Sequence, residues 1–90
     1  MPQYEIKING RVQGVGFRYY AKKQADFLRL NGWVKNLSDG SVMVIVQGKE
    51  TDINTFIDYL RIGTSRSQVT NLQKVKIQGG VAFAEFSIRY

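Results

Sequence analysis

The hydrophobic period along this chain passes twice from two to helical spacing and back, and that alternation leaves few folds open. Tyr4, Ile6 and Ile8 alternate with Glu5, Lys7 and Asn9, the mark of a strand with one buried face. Ala21, Ala25 and Leu28 then recur at helical spacing, and Asn31-Gly32 is expected to end that segment. Trp33 to Leu37 reads as a strand, Asp39-Gly40 as a tight turn and Ser41 to Gln47 as the partner strand. Ile53, Phe56, Ile57 and Leu60 form an i, i+3, i+4, i+7 stripe closed by Gly63, with Thr51-Asp52 as the expected capping residues. Thr64 to Thr70 reads as a polar loop. Leu72 to Gln78 and Phe83 to Ile88 are the last strands, joined through Gly79-Gly80, the second of them a strand or hairpin arm.

Two helices covering one face of an antiparallel sheet bury these stripes most economically. The expected fold is therefore a ferredoxin-like α+β two-layer sandwich, βαββαβ, with residues 1–90 as a single domain. Met43, Phe56, Tyr59 and Phe86 are assigned to its core. With 90 residues and no cysteine, stability must come from packing rather than disulfides. No apolar run reaches bilayer length and no signal-peptide pattern opens the chain, so the expected setting is cytoplasmic, with no membrane partner. The formal net charge of +6 favours anionic partners without choosing among phosphates, nucleic acids and acidic lipids.

Gly10-Arg11-Val12-Gln13-Gly14-Val15-Gly16-Phe17-Arg18 connects the first strand to the first helix. From Arg11 to Ala25 there is no Ser, Thr, Asp or Asn to cap that helix with a side chain. A helix start leaves up to four unpaired amides carrying positive partial charge, and an external anion can take them. Gly14 or Gly16 standing at the cap, with water on the amides, is the plain alternative.

Three familiar anion sites can be set against this spacing. A Walker-type loop ends in Gly-Lys-Ser/Thr, whereas this block ends Gly-Phe-Arg. A dinucleotide fingerprint needs a third glycine where Tyr19 stands, and an acidic ribose partner where the chain reads Gly32-Trp33-Val34-Lys35-Asn36. An RNA-recognition module shares the element order, but its aromatic signature belongs on a central strand, and Val42-Met43-Val44-Ile45-Val46 has no aromatic. No nucleic-acid partner is expected.

The residue types restrict the chemistry further. The chain has no His or Cys, and between Arg11 and Leu37 it has no Ser or Thr and one carboxylate, Asp26, expected mid-helix. Covalent and metal-assisted routes therefore lack their side chains. Arg18 offers a planar cationic fork that matches phosphate oxygens, though a surface helix position explains an arginine equally well. Asn36 can accept a hydrogen bond from a water and hold it in line with phosphorus, or it can be a polar residue at a strand edge. With no general base, such a pair suits an activated phosphate with a good leaving group, such as a mixed anhydride with a carboxylate.

At these residues the chain resembles the acylphosphatase family. Arg11 to Arg18 looks like its first signature, and Gly32-Trp33-Val34-Lys35-Asn36, continuing through Asp39-Gly40 to Val46 and Gly48, looks like its second. The resemblance spans the chain and weakens between Gly63 and Leu72, where Thr64-Ser65-Arg66 departs from the family's common Gly-Pro start. It implies a cofactor-free hydrolase that splits acyl phosphates into a carboxylate and inorganic phosphate, the latter also a competitive inhibitor. It further implies that Arg18 binds the phosphoryl group, that the amides of Gln13, Gly14, Val15, Gly16, Phe17 and Arg18 cradle it, and that Asn36 orients the water. The departure at Thr64 is expected to concern only a connecting loop. A monomeric, free-standing enzyme is expected, rather than the similar domain inside larger carbamoyl-transfer maturation proteins. A non-catalytic phosphate-binding module and, more remotely, an RNA-binding domain of the same fold are the alternatives.

Overall fold

The computed structural model describes residues 1–78 and 80–90, so Gly79 of the expected Gly79-Gly80 joint lies outside it. Strand β1 (Gln3–Arg11) is followed by α1 (Phe17–Phe27), β2 (Asn31–Asn36), β3 (Val42–Gln47), α2 (Glu50–Ile62), β4 (Gln68–Ile77) and β5 (Phe86–Arg89). The sheet order is β4-β1-β3-β2-β5. Four strands pair antiparallel, as the period-two segments require, and β5 adds parallel to β2. The sheet is therefore mixed at that edge, and β4 and β5 form no hairpin because they occupy opposite edges.

A buried amide fastens this crossover. Gln47 donates through Nε2 to Gln3 Oε1 at 2.9 Å and to Val81 O at 2.6 Å, and its Oε1 accepts from Phe83 N–H at 2.9 Å. The Gly32 N–H to Glu85 O bond, 2.9 Å, then starts the parallel pairing. A buried side-chain amide is stable here because its donors and acceptor are all matched.

The register sorts the side chains. Ile6, Val44 and Val34 lie in one cross-strand row, and Ile8, Val42 and Asn36 in the next. These rows face the helices. Ile6, Ile8, Val34, Val42 and Val44 are fully buried with Phe17, Ala21 and Ala25 of α1 and Ile53, Phe56 and Leu60 of α2. The stripe on α2 is thus inward as expected, and Phe56 meets Phe86 edge-on at 5.9 Å. Met43 is only half-buried and Tyr59 is exposed, so neither is a core residue.

Boundaries moved where local chemistry differed from the usual signals. Helix α2 begins one residue before Thr51, with Lys49 at the cap position and no side-chain cap bond, so Thr51 and Asp52 sit inside its first turn. Strand β4 starts at Gln68, within the expected loop, because pairing with Arg11 and Gly10 across a bulge extends it. Helix α1 ends at Phe27 rather than at Asn31-Gly32, which already belong to β2. Leu30 N–H bonds Ala25 O at 2.8 Å and Arg29 N–H bonds Asp26 O at 3.1 Å, the paired bonds of a Schellman stop. Arg29 takes the left-handed position at φ 58° that glycine usually fills, and Leu30 turns into the core. A non-glycine residue there carries a penalty of about 1–2 kcal/mol. Arg29→Gly is accordingly expected to raise stability by about 0.5–1 kcal/mol once glycine's greater unfolded freedom is subtracted, read from urea unfolding.

Candidate active site

The first helix starts without any side chain to receive it. Its cap residue is Gly16, at φ 77°, and Gly14 lies at φ 72°, conformations that glycine adopts without strain. Among the described residues no acceptor takes the amides of Gln13 to Tyr19; the first helical bond runs from Tyr20 N–H to Gly16 O at 3.0 Å. The expected contrast in side-chain caps does not hold, since neither helix has one, but a contrast in charge does. Helix α2 carries Glu50 and Asp52 in its first turn, whereas α1 has no acid there and places the Arg18 cation beside its positive dipole end. Positive charge is concentrated at this helix start, and among the described residues no carboxylate forms an ion pair with Arg18.

A cleft of about 230 Å³ opens at that point, lined by Val12, Gly14, Gly16, Phe17, Arg18, Tyr19, Asn36, Ile88 and Tyr90. Strand parity explains the gathering. Asn36 follows Gly32 and Val34 on the helix-facing side of β2, and Ile88, paired with Val34, is on the corresponding side of β5. Parallel addition makes β5 end where β2 ends, so the chain terminus arrives beside Asn36. Arg18 Nη1 donates to Arg89 O at 3.1 Å, and its guanidinium carbon lies 4.6 Å from the centre of the Tyr90 ring. The Arg89 guanidinium instead stacks over Trp33, at 4.7 Å.

Asn36 Oδ1 is enclosed without a hydrogen-bond donor among the described residues. An unpaired buried acceptor costs about 1–3 kcal/mol. A half-turn about χ2 exchanges it with Nδ2, a rotation that the broad torsional preference of Asn permits. Asp26 is not mid-helix but in the last turn of α1, ion-paired to Lys22 at 2.9 Å.

Two supports of the glycine loop were not legible in the sequence. The Gln13 side chain, expected to contribute only its amide, donates through Nε2 to Leu37 O at 2.8 Å and Ser41 O at 2.9 Å, which ties the loop to the turn just after Asn36. Thr64 Oγ1 donates to Val15 O at 3.1 Å, so the segment expected to be a mere connection touches the site. A glutamine amide within reach of a following hairpin turn was the one available signal for the first; nothing local announced the second.

The turn after Asn36 is itself braced by Asp39. Its carboxylate accepts from the Ser41 hydroxyl, from Ser41 N–H at 2.9 Å and from Lys7 Nζ at 3.0 Å.

Fold and cleft together make a small α+β sandwich with a cleft where the first strand's glycine loop enters α1. The sequence profile of the acylphosphatase family matches residues 4–88. The chain is 40% identical over 90 residues to the acylphosphatase of Bacillus subtilis, covering 100% of this chain and 99% of that one. The crystal structure of acylphosphatase from Bacillus subtilis superimposes with a TM-score of 0.97 over 100% of both chains, at 40% identity. An acylphosphatase structure from Coxiella burnetii does so at 0.92 with 33% identity, covering 98% of this chain and 92% of that one. The chain belongs to the acylphosphatase family, and its activity is the hydrolysis of acyl phosphates.

The bonds from the Ser41 hydroxyl and amide, and then Lys7, hold the Asp39 carboxyl below its ordinary range. A depressed folded-state value means stabilisation that is present above the unfolded-state value near 4 and lost as pH falls below it. The stability gap between the wild type and Asp39→Asn, measured by urea midpoints, is therefore expected to be largest above about pH 5 and to shrink steadily toward pH 2.

Proposed function

We propose that residues 1–90 act as one cofactor-free, monomeric domain in which Arg18 and the amides of Gln13, Gly14, Val15, Gly16, Phe17 and Arg18 hold the phosphoryl group while Asn36 orients the attacking water. The observation that carries this reading is the convergence at one cleft of unpaired helix-start amides, an arginine fork and a half-buried asparagine whose enclosed, unsatisfied carbonyl a half-turn about χ2 would bring to the cleft. All of these come from one chain, which supports a monomer acting on small molecules. The cytoplasm and the absence of a nucleic-acid partner are part of the same proposal. No helix among the described residues is long and apolar enough to cross a membrane.

The chemistry follows from the charges. In an acyl phosphate the bond to break joins phosphorus to a carboxylate oxygen. Water oxygen bonds phosphorus as that bond opens, and the carboxylate departs with the bonding pair. The attacking water's proton passes to a phosphate oxygen or to solvent, so no protein base is required. Phosphoryl transfer of this kind depends on alignment and on stabilising charge spread over the equatorial oxygens. The loop amides and Arg18 meet those oxygens, the amides without any reorganisation, because no protein acceptor competes for them. The Arg89 carbonyl and the Tyr90 ring keep the guanidinium from swinging into solvent. Asn36, at the end of the same sheet, holds the water on the side opposite the leaving group. Inorganic phosphate, the product, fits the same cradle and competes with substrate.

Among the described residues no group of three or more His, Cys, Asp or Glu is placed to hold a metal ion. Steady-state hydrolysis of benzoyl phosphate tests these assignments. Arg18→Ala and Asn36→Ala are each expected to lose about 10²–10³-fold in rate with native unfolding midpoints, and a chelator to leave the wild-type rate unchanged. Near-wild-type turnover by either folded variant would sink the assignment of that residue.

A further inference from the structure

The amide best placed to be lost from the cradle is the one between its two glycines. Turning the Val15–Gly16 peptide over changes only ψ of Val15 and φ of Gly16. Gly16 has no Cβ, so φ of either sign is open to it and the residue itself favours neither orientation. In one orientation Gly16 N–H faces the cleft; in the other the Val15 carbonyl does, and a carbonyl oxygen repels an anion. Something outside the loop has to choose.

Thr64 makes that choice. Its Oγ1 donates to Val15 O at 3.1 Å. The peptide is trans, as are all those described, so its N–H points opposite to its carbonyl. Gly16 lines the cleft, whereas Val15 and Thr64 do not. Holding the carbonyl on the Thr64 side therefore turns the Gly16 N–H toward the cleft. Thr64 is a firm post. It follows directly on Gly63, which closes α2, and Ser67 Oγ accepts from Thr64 N–H at 2.7 Å and donates to Thr64 O at 3.0 Å. Ser67 N–H adds a further bond to the same carbonyl at 3.1 Å. The Gly-Pro start that the resemblance led one to expect here has no hydroxyl.

We infer that Thr64 is a positioning residue for phosphoryl binding, its hydroxyl locking the Val15–Gly16 peptide with the amide toward the substrate. The inference rests on the reading that the 13–18 amides hold the phosphoryl group. Thr64→Val removes the hydroxyl and keeps the shape, Thr64→Ser keeps the hydroxyl, and Thr64→Ala replaces the valine variant where that one does not fold. Two quantities are measured: the competitive inhibition constant of inorganic phosphate during benzoyl phosphate hydrolysis, and the shift of the Gly16 amide resonance on adding phosphate. Losing one such bond is expected to raise the inhibition constant and lower kcat/KM by about 3- to 10-fold in Thr64→Val, with a diminished Gly16 shift and Thr64→Ser close to wild type. Wild-type values in folded Thr64→Val, or equal damage in the serine and valine variants, would overturn the role of the hydroxyl. A wild-type cradle whose 13–18 amides all ignore phosphate would instead overturn the reading beneath it, and this inference with it.

Discussion

Unpaired amides at the start of α1 are the constraint around which the rest of this small protein is arranged. Up to four donors per helix start need partners, and most helices find them in a side chain or in solvent. Here the cap is a glycine, the first turn has no acid, and a cation, Arg18, is added where the helix dipole already disfavours one. Each choice lowers the stability of the isolated domain, and in the proposed binding mode each raises the free energy released when an anion enters. Helix α2, which faces no such task, carries Glu50 and Asp52 in the same position. The contrast between two helices of one domain separates what folding asks of a helix start from what binding asks.

Delivering the other side of the cleft is a matter of sheet topology. Asn36 belongs to a row whose other members, Ile8 and Val42, are fully buried, so strand parity alone aims it at the helix layer. At the end of β2 that layer has given way to the glycine loop, and the side chain meets the cleft instead of the core. Strand β5 repeats the logic. Pairing parallel with β2 ends it at the same edge of the molecule, and the next residue, Tyr90, reaches Arg18. A hairpin on β4 would have separated Tyr90 from β2 by three intervening strands. The position of Tyr90 therefore depends on the crossover fastened by Gln47 at the opposite end of the sheet.

Much of this was legible in the sequence because it rests on periodicity. The alternation of Tyr4, Ile6 and Ile8 and the stripe of Ile53, Phe56, Ile57 and Leu60 report which faces are buried, and both point inward. Arg18 and Asn36 were singled out by residue type and by the family resemblance, and both are found lining one cleft. The parts that were not legible depend on contacts distant in the chain or on backbone conformations that carry no residue signature. Arg29 in the left-handed region looks like any helical arginine, so the helix stop was sought at the next glycine. The landing of β5 is decided by a glutamine more than thirty residues earlier, bonded to Val81 and Phe83. Gln13 and Thr64 act through backbone carbonyls of Leu37, Ser41 and Val15, and a carbonyl is the same whatever residue bears it.

A loop that must present bare amides cannot also be held by those amides. Secondary structure ordinarily fixes a backbone through its N–H groups, and spending them on the fold would remove them from the ligand. The loop between β1 and α1 is held instead through groups that the proposed anion would not need: the Gln13 side chain reaches out to one neighbour, and the Val15 carbonyl receives a hydroxyl from another. Gly14 and Gly16 make this division of labour possible, because residues at positive φ turn successive peptides without demanding space for a side chain. The same freedom is what requires external supports, since glycine leaves the wrong peptide orientation open as well. In the proposed binding mode, pre-organisation of the cradle is thus a property of the Gln13 side chain, Thr64, Ser67 and the β2–β3 turn together, none of which an acyl phosphate has to touch.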